Sequence, residues 1–272
     1  MNAKAKVVQS TYLQLTLFST LAASMIWGIN TLFLLDAGLN NTQAFAANAA
    51  FLFGQVLFEV PTGVVADTWG RRLSFLLGAV TLLVTTLLYL LLWYVSAPFI
   101  LWAVVSVFLG LGYTFFSGAT EAWLVDALHG SGYKGDLDSV FAREQVASGV
   151  AMLVGSVLGG IVAEHVGIGW PYILRALAFA VVTFVAYVAM RDIGFTPKKP
   201  EKAFREMKKI LATSIEYGYR TRPVRWVIMT NLFLYSVSFY VFYAPQPHLL
   251  HLFGDSGAYS VAGIVAALVA GP

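Results

Sequence analysis

The sharpest turn in this sequence falls at Gly63-Val-Val-Ala-Asp67-Thr-Trp-Gly70-Arg71-Arg72, between two long apolar runs. Ala44 to Ala66 leads into it with Glu59 as its single charge, and Leu73 to Val95 follows with none. A helix rises about 1.5 Å per residue, so roughly 20 apolar residues cross the hydrocarbon core of a bilayer. Both runs meet that length. A turn holding one carboxylate, two glycines and two guanidinium groups between such runs needs a membrane for its flanks and a mechanism for itself.

Composition agrees. Apolar residues make up 58% of the 272, charged residues 11%, and mean hydropathy is +0.74, outside the range of a soluble domain. The net charge of +3 does not point to nucleic acid, because Lys and Arg cluster between apolar runs instead of lining a soluble face. With no cysteine there is no disulfide, thiol catalysis or thiolate metal site. Lys4 and Lys6 precede an apolar run from Leu13 to Leu35, too long for a signal peptide and without a cleavage site, so it reads as an uncleaved first span.

The same ruler predicts spans near 13–35, 44–66, 73–95, 99–125, 146–163, 171–190 and 226–248, with an eighth starting near 258. Sixteen of the seventeen Lys and Arg fall before span 1, in loops 2–3 and 4–5, or between Arg191 and Arg225. The loops between are free of both. By the positive-inside rule the N-terminus and the Arg71 loop are cytoplasmic.

Residues 191–225 are the one substantial polar segment. Pro197 and Pro200 open it, and Glu201 to Tyr219 reads as an amphipathic helix, with Phe204, Met207, Leu211 and Ile215 at helical spacing. Lys202, Arg205, Glu206 and Lys209 take the other flank. Such a helix is expected to lie on the anionic membrane surface, with a partner-binding helix as the alternative.

Gly63-x-x-x-Asp67-x-x-Gly70-Arg71-Arg72 after the second span resembles the signature of the major facilitator superfamily of secondary transporters. Six spans, a basic linker and further spans match that family's plan of two six-helix halves. In the family this loop resembles a cytoplasmic latch that holds the halves together. Read from the residues, the glycines permit a close, sharp turn, Asp67 can accept from a helix N-terminus, and the arginines can clamp carboxylates or phosphates. The bland alternative is a topology anchor.

Phe58-Glu59-Val60-Pro61-Thr62-Gly63, and Ser117-Gly-Ala-Thr-Glu121-Ala-Trp123-Leu-Val-Asp126 in span 4, resemble a prokaryotic branch of the superfamily rich in candidate drug-efflux proteins. A carboxylate inside a span costs at least about 2.5 kcal/mol, so Glu59 and Glu121 are expected to face the bundle interior. Glu59, Glu121, Asp126 and Arg143, with Arg71 and Arg72, are read as a charge network that switches partners, the alternative being a static pair. The chain departs from the better-known drug–proton antiporters in two places. No Arg occurs between Phe99 and Val125, and span 5 reads Gly149, then Gly155-Ser-Val-Leu-Gly159-Gly160, without their proline. Small residues at that spacing also simply allow close packing.

A substrate cavity is expected near mid-bilayer. By depth its candidates are Trp27, Asn30, Tyr113 and Thr114, faced by Asn231, Tyr235 and Tyr240. Arg175, the lone cation within a span, either snorkels to the headgroups, which is the reading adopted, or lines the cavity and meets an anionic substrate or Asp36. Asp36 reads as a loop cap. The four histidines sit at loop edges with no metal-ligand spacing.

The expectation is an all-α polytopic membrane protein: a six-helix bundle over 1–190, a basic linker over 191–225, and the start of a second bundle over 226–272, cut within span 8. The resemblance implies a non-enzymatic carrier without cofactor or metal, monomeric when full length, in the cell membrane. It would work by alternating access as a proton-coupled exporter of amphipathic small molecules. The alternatives are an uptake carrier for a small polar or anionic nutrient and a truncated, non-transporting remnant.

Overall fold

The computed structural model describes residues 3–117, 119–197, 199–253 and 257–269. Ala270 to Pro272 at the end of the expected eighth span, and Gly118 of the span-4 stretch, lie outside them, as do the side chains of Lys202 and Glu206. Every regular element among the described residues is a helix. In order they are α1 (Ala3–Ser24), α2 (Asn30–Asp36), α3 (Asn41–Trp69), α4 (Arg71–Tyr94), α5 (Phe99–Thr114) and α6 (Ala119–Gly130). They continue as α7 (Asp138–His165), α8 (Trp170–Ala189), α9 (Pro200–Arg220), α10 (Arg222–Tyr243), α11 (Pro245–Phe253) and α12 (Ala258–Val269).

Among the described residues six runs are long and apolar enough to cross a membrane: α3, α4, the α5–α6 run, α7, α8 and the α10–α11 run. The first expected span is instead two pieces, α1 and α2, joined by a turn over residues 25–29. Helices also start earlier than hydropathy alone suggests, α1 at Ala3 and α7 at Asp138. An apolar ruler measures only the hydrocarbon core, whereas a helix can carry on into the headgroup layer, where an acidic first turn such as that of Asp138 suits its dipole.

Each break leaves backbone groups that need partners in an apolar medium. At the α5–α6 break, Thr62 Oγ1 of α3 donates to the Thr114 carbonyl (3.1 Å) and Ser74 Oγ of α4 to the Phe115 carbonyl (3.1 Å). At the α1–α2 break, the buried Gln246 of α11 accepts from the Thr31 N–H (2.9 Å) and donates to the Trp27 carbonyl (2.9 Å). Side chains from neighbouring helices thus replace the missing helical bonds.

Small residues set how closely the helices approach. A Cβ on Gly159 of α7 would collide with the Met25 carbonyl, and one on Gly28 would stand 2.6 Å from Gly263 Cα of α12. Gly54 of α3 and Gly110 of α5 likewise face each other's backbones. Close approach through glycine is the packing device expected where water supplies no hydrophobic drive. Tyr12, Phe75, Trp123 and Leu128 pack one core at the end that carries the Gly63–Arg72 turn. Phe33, Tyr89, Trp102 and Tyr172 pack another towards the opposite end, with Phe33 stacked on Tyr172 at 3.9 Å between centroids. Val56, Leu87, Val104 and Phe184 point outward and are exposed. On α9 the apolar residues Phe204, Leu211 and Ile215 are exposed, and none of the residues of α10 is fully buried.

Candidate functional site

The Gly63–Arg72 turn is short because α3 ends at Trp69 and α4 begins at Arg71. Gly70 between them has φ +111°, a conformation that L side chains avoid, so glycine is required there. Gly63 is different: a Cβ on it would meet nothing within 4 Å, so close approach is not what this glycine provides. Asp67 pairs with Arg71 one turn later (Oδ1 to Nη2, 2.8 Å), and Arg71 Nε lies 3.8 Å from Asp126 Oδ2 at the end of α6. Arg72 donates from Nη2 to the Tyr187 carbonyl (2.7 Å) and sits over the Tyr187 ring.

The first turn of α4 is capped by Asp192, whose Oδ1 accepts from the Arg72 N–H at 2.9 Å. Gly70 has no side chain to supply a cap; α8 ends at this side of the bundle, and Trp123 Nε1 donates to the Arg191 carbonyl (2.7 Å) of the residues that follow it. Gly194, at φ +77°, then packs on the Asp126 carbonyl. Besides the Arg71–Asp67 pair, the contacts of Arg71 and Arg72 run to Asp126 of α6 and to residues 187–195.

Of the expected charge network, Asp126 alone meets Arg71. Glu59 is exposed and accepts from Ser117 Oγ (2.7 Å) across the α5–α6 break. Glu121 is exposed in the first turn of α6, five residues and about 140° of helix away from Asp126. Arg143 is exposed on α7, beside Lys6 and Gln9 of α1. Glu59 and Glu121 are both exposed in this chain, and among the described residues no ion pair joins Arg143 to either.

The second candidate site is a cavity of about 530 Å³ walled by α3, α4, α5, α8, α10, α12 and the α1–α2 turn. Trp27, Asn30, Tyr113 and Arg175 line it, together with Asn48, Phe51, Gln55, Tyr89, Phe239, Phe242 and Tyr243. Asn30 Nδ2 donates to Asn48 Oδ1 (2.7 Å), and Tyr172 Oη donates to Asn30 Oδ1 (2.8 Å). Most of the wall is apolar or aromatic with a few fixed polar groups, the usual make-up of a small-molecule site.

Arg175 does not snorkel. It is 1% exposed and donates from Nε to Thr86 Oγ1 (3.1 Å), from Nη1 to the Ala23 carbonyl (3.2 Å) and from Nη2 to Tyr113 Oη (3.2 Å). Its guanidinium lies 5.1 Å from the Phe179 ring centroid. It shares a helical face with the buried Tyr172, Phe179, Val182 and Ala186, while Ile173, Leu177, Val181 and Phe184 face outward. Asp36 does not reach it; its Oδ2 accepts from Trp93 Nε1 (2.7 Å).

Four other expected cavity residues stand elsewhere. Thr114 is buried against α3, its hydroxyl spent on the Leu111 carbonyl (2.8 Å). Asn231, Tyr235 and Tyr240 are exposed. The cavity face of α10 is Ser238, Phe239, Phe242 and Tyr243, so Tyr240 points about 200° away from Ser238, and Tyr235 and Asn231 lie one and two turns too far towards Arg222. Asn48 and Gln55 were overlooked. They are seven residues apart on one face of an apolar span, and that spacing is the signal that could have found them.

The Major Facilitator Superfamily family model matches residues 14–272. An uncharacterized MFS-type transporter of Methanocaldococcus jannaschii is 24% identical over 197 residues, 72% of this chain and 48% of that protein. The chain therefore spans about half the length of the curated relative it matches. With the family model reaching from the first span to the last residue, and with helix bundle, turn motif and central cavity in one structure, the chain belongs to the major facilitator superfamily.

Proposed function

We propose that this chain supplies the first bundle, and part of the second wall of the substrate site, of an alternating-access carrier for small amphipathic molecules. The observation that carries this reading is the cavity of about 530 Å³ between α3, α4, α5 and α8 on one side and α10 and α12 on the other. A site shared by two groups of helices opens to either face when one group rocks against the other. Its aromatic walls suit amphipathic bodies, and Asn48 and Gln55 give such bodies polar anchors.

Export driven by protons is the direction we adopt, supported by the likeness of the Phe58–Gly63 and Ser117–Asp126 stretches to the efflux branch. Since Asp, Glu and His are absent from the cavity lining among the described residues, proton carriage falls to carboxylates outside it, with Glu59 on its Ser117 hydrogen bond the first candidate. The test is expression of the full gene in cells lacking their main efflux pumps, followed by loading with a panel of amphipathic dyes. Energy-dependent, saturable extrusion that collapses with a protonophore and is lost in Asn48→Leu is expected. Extrusion equal to that of empty cells for every dye contradicts the reading.

A further inference from the structure

We infer that the transported molecule is an amphipathic organic anion, a single negative charge on a planar apolar body, with its charge seated on Arg175. The inference rests on the cavity being the transport site. A guanidinium carries five N–H donors. Arg175 spends three of them, all on neutral acceptors: Thr86 Oγ1, the Ala23 carbonyl and Tyr113 Oη. One N–H on each Nη is left without a protein acceptor among the described residues. Those two donors belong to a side chain 1% exposed to solvent and set in the cavity wall.

Charge bookkeeping points the same way. Among the described residues no carboxylate lies within ion-pair reach of Arg175, and the cavity lining contains none. A buried cation without a counter-ion costs several kcal/mol, only part of which the ring face of Phe179 can offset. An anion entering the cavity approaches a positive charge set in its wall, already desolvated and locked by three hydrogen bonds, and reaches the two open N–H groups through the small surface that Arg175 shows to the cavity. A cation meets repulsion in a low dielectric. The body of the ligand then lies against Trp27, Phe51, Phe239 and Phe242, which favour flat apolar rings. A cavity of about 530 Å³ holds such a molecule, since sites for drug-sized ligands run from about 300 to 1,000 Å³.

A purely structural role is the competing explanation, because Arg175 of α8 also ties α1, α4 and α5 together. That role predicts no charge preference among ligands. The experiment uses 1-naphthoate, 1-naphthamide and 1-naphthylmethylamine, three probes with the same ring system and different charge. Each is titrated calorimetrically into the purified full-length protein in lipid nanodiscs. The expected result is naphthoate binding about tenfold or more tighter than the amide, equivalent to about 1.4 kcal/mol, with the amine weakest. Arg175→Gln should bring naphthoate to the affinity of the amide, and Arg175→Lys should keep part of the preference.

Equal binding of all three probes by the wild type leaves the cavity as the site and overturns the anion assignment. So does a naphthoate preference that survives in Arg175→Gln. Binding of none of the probes also overturns the assignment, and the dye-extrusion panel then judges the cavity separately. If Arg175→Gln fails to fold, the wild-type series decides alone.

Discussion

The backbone N–H of Arg72 donates to Asp192 Oδ1 at 2.9 Å, joining residues 120 positions apart. The first N–H groups of any helix lack internal partners. At α4 the cap position is Gly70, which has no side chain to offer, so the acceptor arrives from beyond α8. A Cβ on Gly70 would stand 2.5 Å from Asp192 Oδ2. The glycine therefore serves twice, once for its backbone angle and once for the space that Asp192 fills.

This arrangement ranks three substitutions. Losing a helix cap costs about 1 kcal/mol, so Asp192→Ala should lower the melting temperature of the purified protein. Asp192→Asn keeps an acceptor and should fall between Asp192→Ala and wild type. Gly70→Ala should be the most damaging, since it strains a φ of +111° and also displaces the cap. A neutral Gly70→Ala contradicts the double role.

The ion pairs of the turn give a second ranking, read in transport by the full-length protein. Asp67→Asn removes the negative charge 2.8 Å from Arg71 and Asp126→Asn the one at 3.8 Å. Asp67→Asn and Arg71→Ala should each cut transport severely while the amount inserted in the membrane stays normal. Asp126→Asn should do less. Wild-type rates in the first two would reduce the turn to a topology anchor.

Much of the fold is legible in the sequence because hydropathy and helix length are one measurement in a membrane. The start of α12 at Ala258 and the bounds of α8 fall where the apolar runs place them. The break at residues 25–29 is not legible, because Met25, Ile26 and Trp27 are as apolar as their neighbours and the stabilising Gln246 sits in another helix. The capping role of Asp192 is equally a tertiary fact. Arg175 is an intermediate case. Its shared face with Tyr172 and Phe179 could be read from spacing, yet a lone arginine near a span end suggested snorkelling. Depth alone misplaced Asn231, Tyr235 and Tyr240, since depth fixes neither the rotation of α10 nor its vertical register.

Glycines of α7 offer a paired test of packing. Gly159 abuts the Met25 carbonyl, whereas a Cβ on Gly149 would meet nothing within 4 Å. Gly159→Leu should prevent stable accumulation of the protein in membranes, and Gly149→Leu should accumulate normally. Equal levels of the two variants would remove close approach as the reason for the small residues in this helix.

Orientation can be read by thiol labelling, because this chain has no cysteine of its own. Single cysteines replacing Trp69 and Lys134 should be shielded from an impermeant reagent in intact cells, and one replacing Asn40 should react. The expectation follows from the distribution of Lys and Arg among the loops. The reverse pattern inverts the protein in the membrane.

The most direct measurement places a bulky group in the cavity itself. Gln55 lines it and is partly exposed, so Gln55→Cys sets one thiol on its wall. Dye extrusion by this variant should persist before treatment, slowed by the loss of one polar anchor, and be abolished after alkylation with a large maleimide. A saturating transported dye should slow the alkylation by about tenfold, as expected when substrate and reagent compete for one site. Undiminished transport by the fully alkylated protein would show that substrates cross without entering this cavity.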